Sequence, residues 1–152
     1  MNMENGVFKI IDEYNLLNPG GKLPVFEWVD KDGNSLSSVS LHGKPLLVIL
    51  FSTTCPHCRQ NFSYLDKNLF SEVAASINII GIGRDCSIQQ ADDYRESNGL
   101  PFHVIADSGR KIYSMFAEKA VPRMYFFNKE GRLMISIRGF KPQDIDKLRE
   151  MI

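Results

Sequence analysis

Apolar residues along this chain fall into unbroken runs and helix-spaced stripes. "KPLLVILF" (44–51) and "INIIGIG" (77–83) are continuous, β-branched runs of strand length, as expected of strands covered on both faces. "PFHVIAD", "RMYFF" and "RLMISIR" are further strand candidates, the last two joined as a hairpin through "NKEG". "LPVFEWV" and "LSSVSL" flank "DKDGNS", a second hairpin signal centred on Asp32-Gly33. Helical spacing links Phe62, Leu65 and Leu69 after Pro56, Ile112, Met115 and Phe116 on one side of another helix, and Ile145, Leu148 and Ile152 after Pro142. "SIQQADDYRESNG" is a helix with Gly99 as its stop. Val7, Ile10, Ile11, Tyr14 and Leu17 predict a helix within residues 1–18, ending before "NPGG".

The order is helix, hairpin, β-α-β-α-β-α, hairpin, helix. Alternating strands and helices predict an α/β sandwich whose largely parallel sheet is covered on both faces, with the late hairpin adding an antiparallel edge. At 152 residues, 1–152 is expected to form a single domain behind a helical N-terminal extension over 1–20.

Composition narrows the function. Lys plus Arg equals Asp plus Glu at 18 each, with no long single-sign run, so binding of nucleic acid or an anionic membrane through a basic face is not expected. No apolar stretch approaches the roughly 20 residues of a membrane span. No signal peptide is visible at the N-terminus, which leaves a cytosolic protein or an exported one whose signal has been removed. Three cysteines are too few for a disulfide framework.

Two of those cysteines stand in "FSTTCPHCRQ", directly after a buried strand. Pro56 suits the first position of a helix, because its missing N–H would have been unpaired there. Cys55 is then the N-cap, with the N–H groups of His57 and Cys58 aimed at its sulfur, and the positive helix end stabilises the thiolate. An imidazolium at His57 would add to that effect. Cys58, one turn along, is close enough to bridge but points inward. The spacing gives an exposed attacking thiolate and a sheltered resolving thiol. A structural zinc site needs four ligands, and Cys86, His42 and His103 lack ligand spacing, so no metal is expected. A purely structural bridge over so short a loop would stabilise little.

The stretch "GKLPVFEWVDKDGNSLSSVSLHGKPLLVILFSTTCPHC" and the later "AVPRMYFFNKEGRLMISIRGF" together resemble the thioredoxin superfamily, specifically the TlpA/ResA-like thiol-disulfide oxidoreductases related to AhpC/TSA redoxins. The resemblance runs from about Gly21 to the C-terminus and implies a thioredoxin-like fold, with a mixed central sheet flanked by helices, an N-terminal hairpin and an inserted β-α unit. It implies that Cys55 is the nucleophile and Cys58 the resolving cysteine. Pro122 would be a cis-proline beside them, with the Val121 backbone free to pair with a substrate strand. "PH" within the motif resembles strongly oxidising members, which makes Pro56 and His57 candidates for tuning the redox poise. The chain also departs from the pattern. Thr54 stands where a Trp often precedes the first cysteine, and Ile49 replaces the buried Asp of plain thioredoxins. Asp85 is the candidate acid/base after the second core strand, with Cys86 competing for that position.

The expected function is to reduce, oxidise or exchange disulfides in protein substrates through the CPHC pair, with no cofactor, protein thiols or disulfides and an upstream redox partner as partners, and a monomeric state. The resemblance favours periplasm or cell envelope. Two alternatives remain open. A peroxiredoxin-type thiol peroxidase would use Ser52 three residues before the cysteine, although Val48 replaces that motif's proline. A non-enzymatic metal carrier of the same fold would more usually carry CxxxC and a distant histidine. Arg123 beside Pro122 is read as a ligand for an acidic partner or a solvated edge charge, and Cys86 as a buried bystander or a third redox thiol.

Overall fold

The computed structural model describes residues 2–4, 7–9, 12–139 and 141–152. At its centre lie five strands: β5 (Leu46–Phe51), β6 (Asn78–Arg84), β7 (His103–Asp107), β8 (Arg123–Phe127) and β9 (Leu133–Arg138). They are ordered β7-β6-β5-β8-β9, with β5, β6 and β7 parallel and β8 and β9 antiparallel. The late hairpin therefore enters the sheet rather than only edging it, because β8 pairs with the central strand β5. The earlier hairpin is short, β3 (Glu27–Val29) with β4 (Ser35–Ser37). Asp30 caps its turn by accepting from the N–H groups of Asp32 and Asn34, and Gly33 takes the positive φ of +82° that the turn needs.

The unbroken apolar runs follow from burial on both sides. In β5, Leu47, Ile49 and Phe51 enter one core with Phe62, Leu65, Tyr94, Ile145 and Leu148. Leu46, Val48 and Leu50 enter the other with Phe26, Tyr113 and Phe116. Helices α1 (Pro56–Leu65), α2 (Ser71–Val73), α3 (Ile88–Ser97) and α5 (Pro142–Met151), together with a π-helical turn at Asp66–Phe70, contribute to the first layer. The single-turn α4 (Tyr113–Phe116) lies on the second.

Three helix readings need correction. Met115 is exposed because α4 lasts one turn, and Ile152 lies beyond the end of α5. The helix expected within 1–18 is replaced by β1 (Asn2–Glu4) paired with β2 (Val7–Lys9), on either side of Asn5-Gly6, a dipeptide strongly favoured at hairpin turns. Ile10 and Ile11 lie outside the described residues. From Tyr14 on, the chain is extended against the loop after α4: Glu118 donates to Tyr14 O, Leu16 to Phe116 O, and Asn15 bridges Ala117. The Asn15 side chain also binds the Leu17 backbone through both its atoms, a local pairing that competes with a helix.

Candidate active site

The topology gathers four chain segments at one end of the sheet. Leu50 of β5 stands opposite Arg123 of β8, and Arg123 opposite Arg138 of β9. Where β5 ends, Cys55 begins α1; just before β8 lies Pro122; just after β9 lie Gly139 and the start of α5. On the other side of β5, Phe51 faces Gly83 of β6, so Asp85 emerges at the same end.

Cys55 is the N-cap of α1 in extended conformation, and Pro56 is the first helical residue. Of the two N–H groups expected to face Cys55 Sγ, that of Cys58 donates to it, at 3.2 Å. Cys55 is half-buried, whereas Cys58 is fully buried in the first core, which also holds Phe51 and Phe62. All three cysteines are free thiols. Burial is the main cause that pushes the Cys58 thiol up to about 12, with its interaction with Cys55 second.

The Val121–Pro122 bond is cis. Val121 and Pro122 form one wall of a cleft of about 420 Å³ whose other wall is α1, through His57, Asn61 and Tyr64, with Gly139 and Pro142 also lining it. His57 is exposed on the first turn of α1. The structure thus brings His57, Val121 and Pro122 together around one opening. Asp85 does not line that cleft: it sits at φ +59° after β6, half-exposed, with its carboxylate paired to Arg110. Cys86 is buried, its thiol donating to Gly83 O at 3.2 Å and pushed up chiefly by burial. Among the described residues, no three His, Cys, Asp or Glu side chains converge to hold a metal.

Arg123 is neither a solvated edge charge nor a free ligand for a partner. It is 1% exposed and pairs with Asp12 through both of its terminal nitrogens. It also donates to the carbonyls of Lys119 and Ala120, so the N-terminal segment and the Pro122 loop are tied together. Tyr113 OH donates to Ala120 O at 2.6 Å, and Gly139 N–H to Pro122 O at 2.9 Å. Sequence reasoning missed Asp12 and Asn61. Asp12 lies 111 residues from its partner. Asn61 falls on the core side of α1, where a polar residue breaks the helical stripe; that break was the available signal.

Residues 19–135 match the AhpC/TSA family. A Mycobacterium tuberculosis protein provisionally named a peroxiredoxin is 27% identical over 116 residues, covering 76% of this chain and 73% of its own. The thiol-disulfide oxidoreductase ResA of Bacillus subtilis is 21% identical over 123 residues, covering 81% and 69%. A solution structure from Bacteroides thetaiotaomicron, provisionally named a protein disulfide isomerase, superposes with a TM-score of 0.81 at 21% identity, covering 91% of this chain and 89% of that one. The fold is thioredoxin-like.

Proposed function

The chain belongs to the AhpC/TSA family, and from that premise we propose that it is a thiol-disulfide oxidoreductase working through the Cys55–Cys58 pair. The observation that carries this reading is the asymmetry of the pair: Cys55 caps a helix and is partly exposed, while Cys58 is buried one turn behind it. The Cys55 thiolate attacks one sulfur of a substrate disulfide and expels the other as a thiolate, leaving a mixed disulfide. Cys58, after losing its proton, attacks Cys55 Sγ and releases the second substrate thiolate. The Cys55–Cys58 disulfide that results carries the two electrons' worth of oxidation, and a dithiol partner resets it. In reverse, the oxidised pair passes its bond to a substrate dithiol.

In this reading the Val121 backbone beside Pro122 pairs with the substrate strand, and Pro56 with His57 sets the poise. Asp85, its carboxylate held by Arg110, has no part in this exchange. Cys55→Ser should abolish reduction of a model disulfide, and Cys58→Ser should accumulate covalent mixed disulfides visible by mass spectrometry. Activity retained in Cys55→Ser would overturn the assignment.

A thiol peroxidase is the second reading, favoured by the mycobacterial relative's name. Against it, Ser52 Oγ pairs with Thr54 Oγ1 at 3.1 Å, and Val48 is wholly buried in β5. Reductant-dependent consumption of hydrogen peroxide separates the two.

A further inference from the structure

Asn61 is 2% exposed, and among the described residues neither its Nδ2 nor its Oδ1 has a hydrogen-bond partner. Unpaired buried polar groups are rare and costly, and one in a folded protein calls for an explanation. This one lies on α1, three residues past Cys58 and so on the same helix face. It lines the cleft whose facing wall is Val121 and Pro122. On that wall the Pro122 carbonyl is already taken by Gly139 N–H. A leucine at 61 would fill similar volume at a helix face that is otherwise core, without the unpaired amide.

We propose that Asn61 is a specificity-determining residue whose carboxamide pairs with one peptide unit of an extended polypeptide lying in the cleft next to its reactive cysteine. The chemistry of the side chain selects that occupant. A carboxamide presents one donor and one acceptor, side by side and uncharged. A carboxylate would use only Nδ2 and place its charge beside Oδ1; an ammonium would use only Oδ1. A peptide unit offers N–H and C=O together and satisfies both. Helical side chains lean toward the preceding turn, which puts the Asn61 amide beneath the exposed His57, four residues earlier. Binding therefore includes a rotation of His57 away from the cleft. The protein would thereby favour polypeptide disulfides over small ones.

This inference rests on the oxidoreductase reading, and the test separates the two. Two substrates are compared with the full-length reduced protein: a linear decapeptide whose single cysteine is in mixed disulfide with 2-mercaptoethanol, and bis(2-hydroxyethyl) disulfide, which has the same leaving group. Asn61→Leu should lower kcat/KM for the peptide about tenfold, through KM, because the peptide unit then loses both its partners. The rate with the small disulfide should stay within twofold, and the melting temperature should hold or rise. As a second measurement that needs no variant to fold, single N-methylations are walked along the decapeptide. One position should lose severalfold with the wild-type protein. An equal loss on both substrates, no loss on the peptide, or a walk with no sensitive position would overturn the role of Asn61. A wild-type protein inert toward both disulfides would instead overturn the oxidoreductase reading and this inference with it.

Discussion

Cys55 and Cys58 are the same chemical group in two environments, and the difference sets which step is slow. The Cys58 thiol, pushed up to about 12 mainly by burial, is almost wholly protonated near neutrality. That burial persists in the mixed disulfide, so resolution waits on removal of the Cys58 proton. With a preformed Cys55 mixed disulfide and rapid quenching, the resolution rate should rise about tenfold per pH unit between pH 6 and 9. A flat profile would mean that a neighbouring group takes the proton. This part of the site was readable in the sequence, because strand, cysteine, proline and helix follow one another within a few residues. Arg123 was not, and Asn61 showed only as a polar break in a helical stripe, since their surroundings come from distant segments: Asp12 for one, the Pro122 loop for the other. A charged residue in an edge-like strand looks solvated until its strand proves to be central.

The N-terminal segment and the Pro122 loop form one unit through the Asp12–Arg123 pair. Its hydrogen bond with Arg123 is the main cause that holds the Asp12 carboxyl below its usual value of 3.8. Asp12→Ala leaves Arg123 buried without its counter-ion and should cost about 3 kcal/mol in urea unfolding at pH 7. A carboxyl lowered in the folded state contributes stability that is present above its unfolded value and lost as pH falls through the folded one. The gap between wild type and variant should therefore shrink below pH 3.8, and a gap unchanged at pH 2.5 would refute the assignment. The strands of this unit were legible because two-sided burial forces continuous apolar runs. The N-terminal extension was not: Val7, Tyr14 and Leu17 have helical spacing, but Asn5-Gly6 and Asn15 favour turns and backbone pairing that the spacing does not register. Close packing is also felt at β6. A Cβ at Gly83 would stand 2.6 Å from Cys86 Sγ, so Gly83→Ala should lower the melting temperature, and adding Cys86→Ala should recover part of the loss.

At the scale of the whole molecule, the strands that carry the site also fill both cores, and burial reaches three weak acids there besides the Cys86 thiol. Burial is the first cause that pushes the Cys58 thiol from 9.0 and the Tyr94 and Tyr125 phenols from 10.0 up to about 12. Arg123 acts against the shift at Tyr125, which burial outweighs. All three sit within the two-sided packing around β5 and β8, so the protein holds them neutral at a pH where the unfolded chain has released their protons. The sign follows from linkage: an acid raised in the folded state contributes stability that is complete below its unfolded value and lost as pH rises toward the folded one. Stability should thus begin to fall near pH 9, where the unfolded thiol ionises, and fall most steeply between pH 10 and 12, where the phenols join it. Urea midpoints measured from pH 7 to 11 provide the check. Tyr125→Phe removes one of the three groups and should flatten the alkaline limb. Tyr125 OH also donates to Asn15 Oδ1 at 2.9 Å, so the variant is expected to start from lower stability at pH 7. The decisive quantity is the slope between pH 10 and 11: an equally steep loss in variant and wild type would place the alkaline sensitivity outside these two cores.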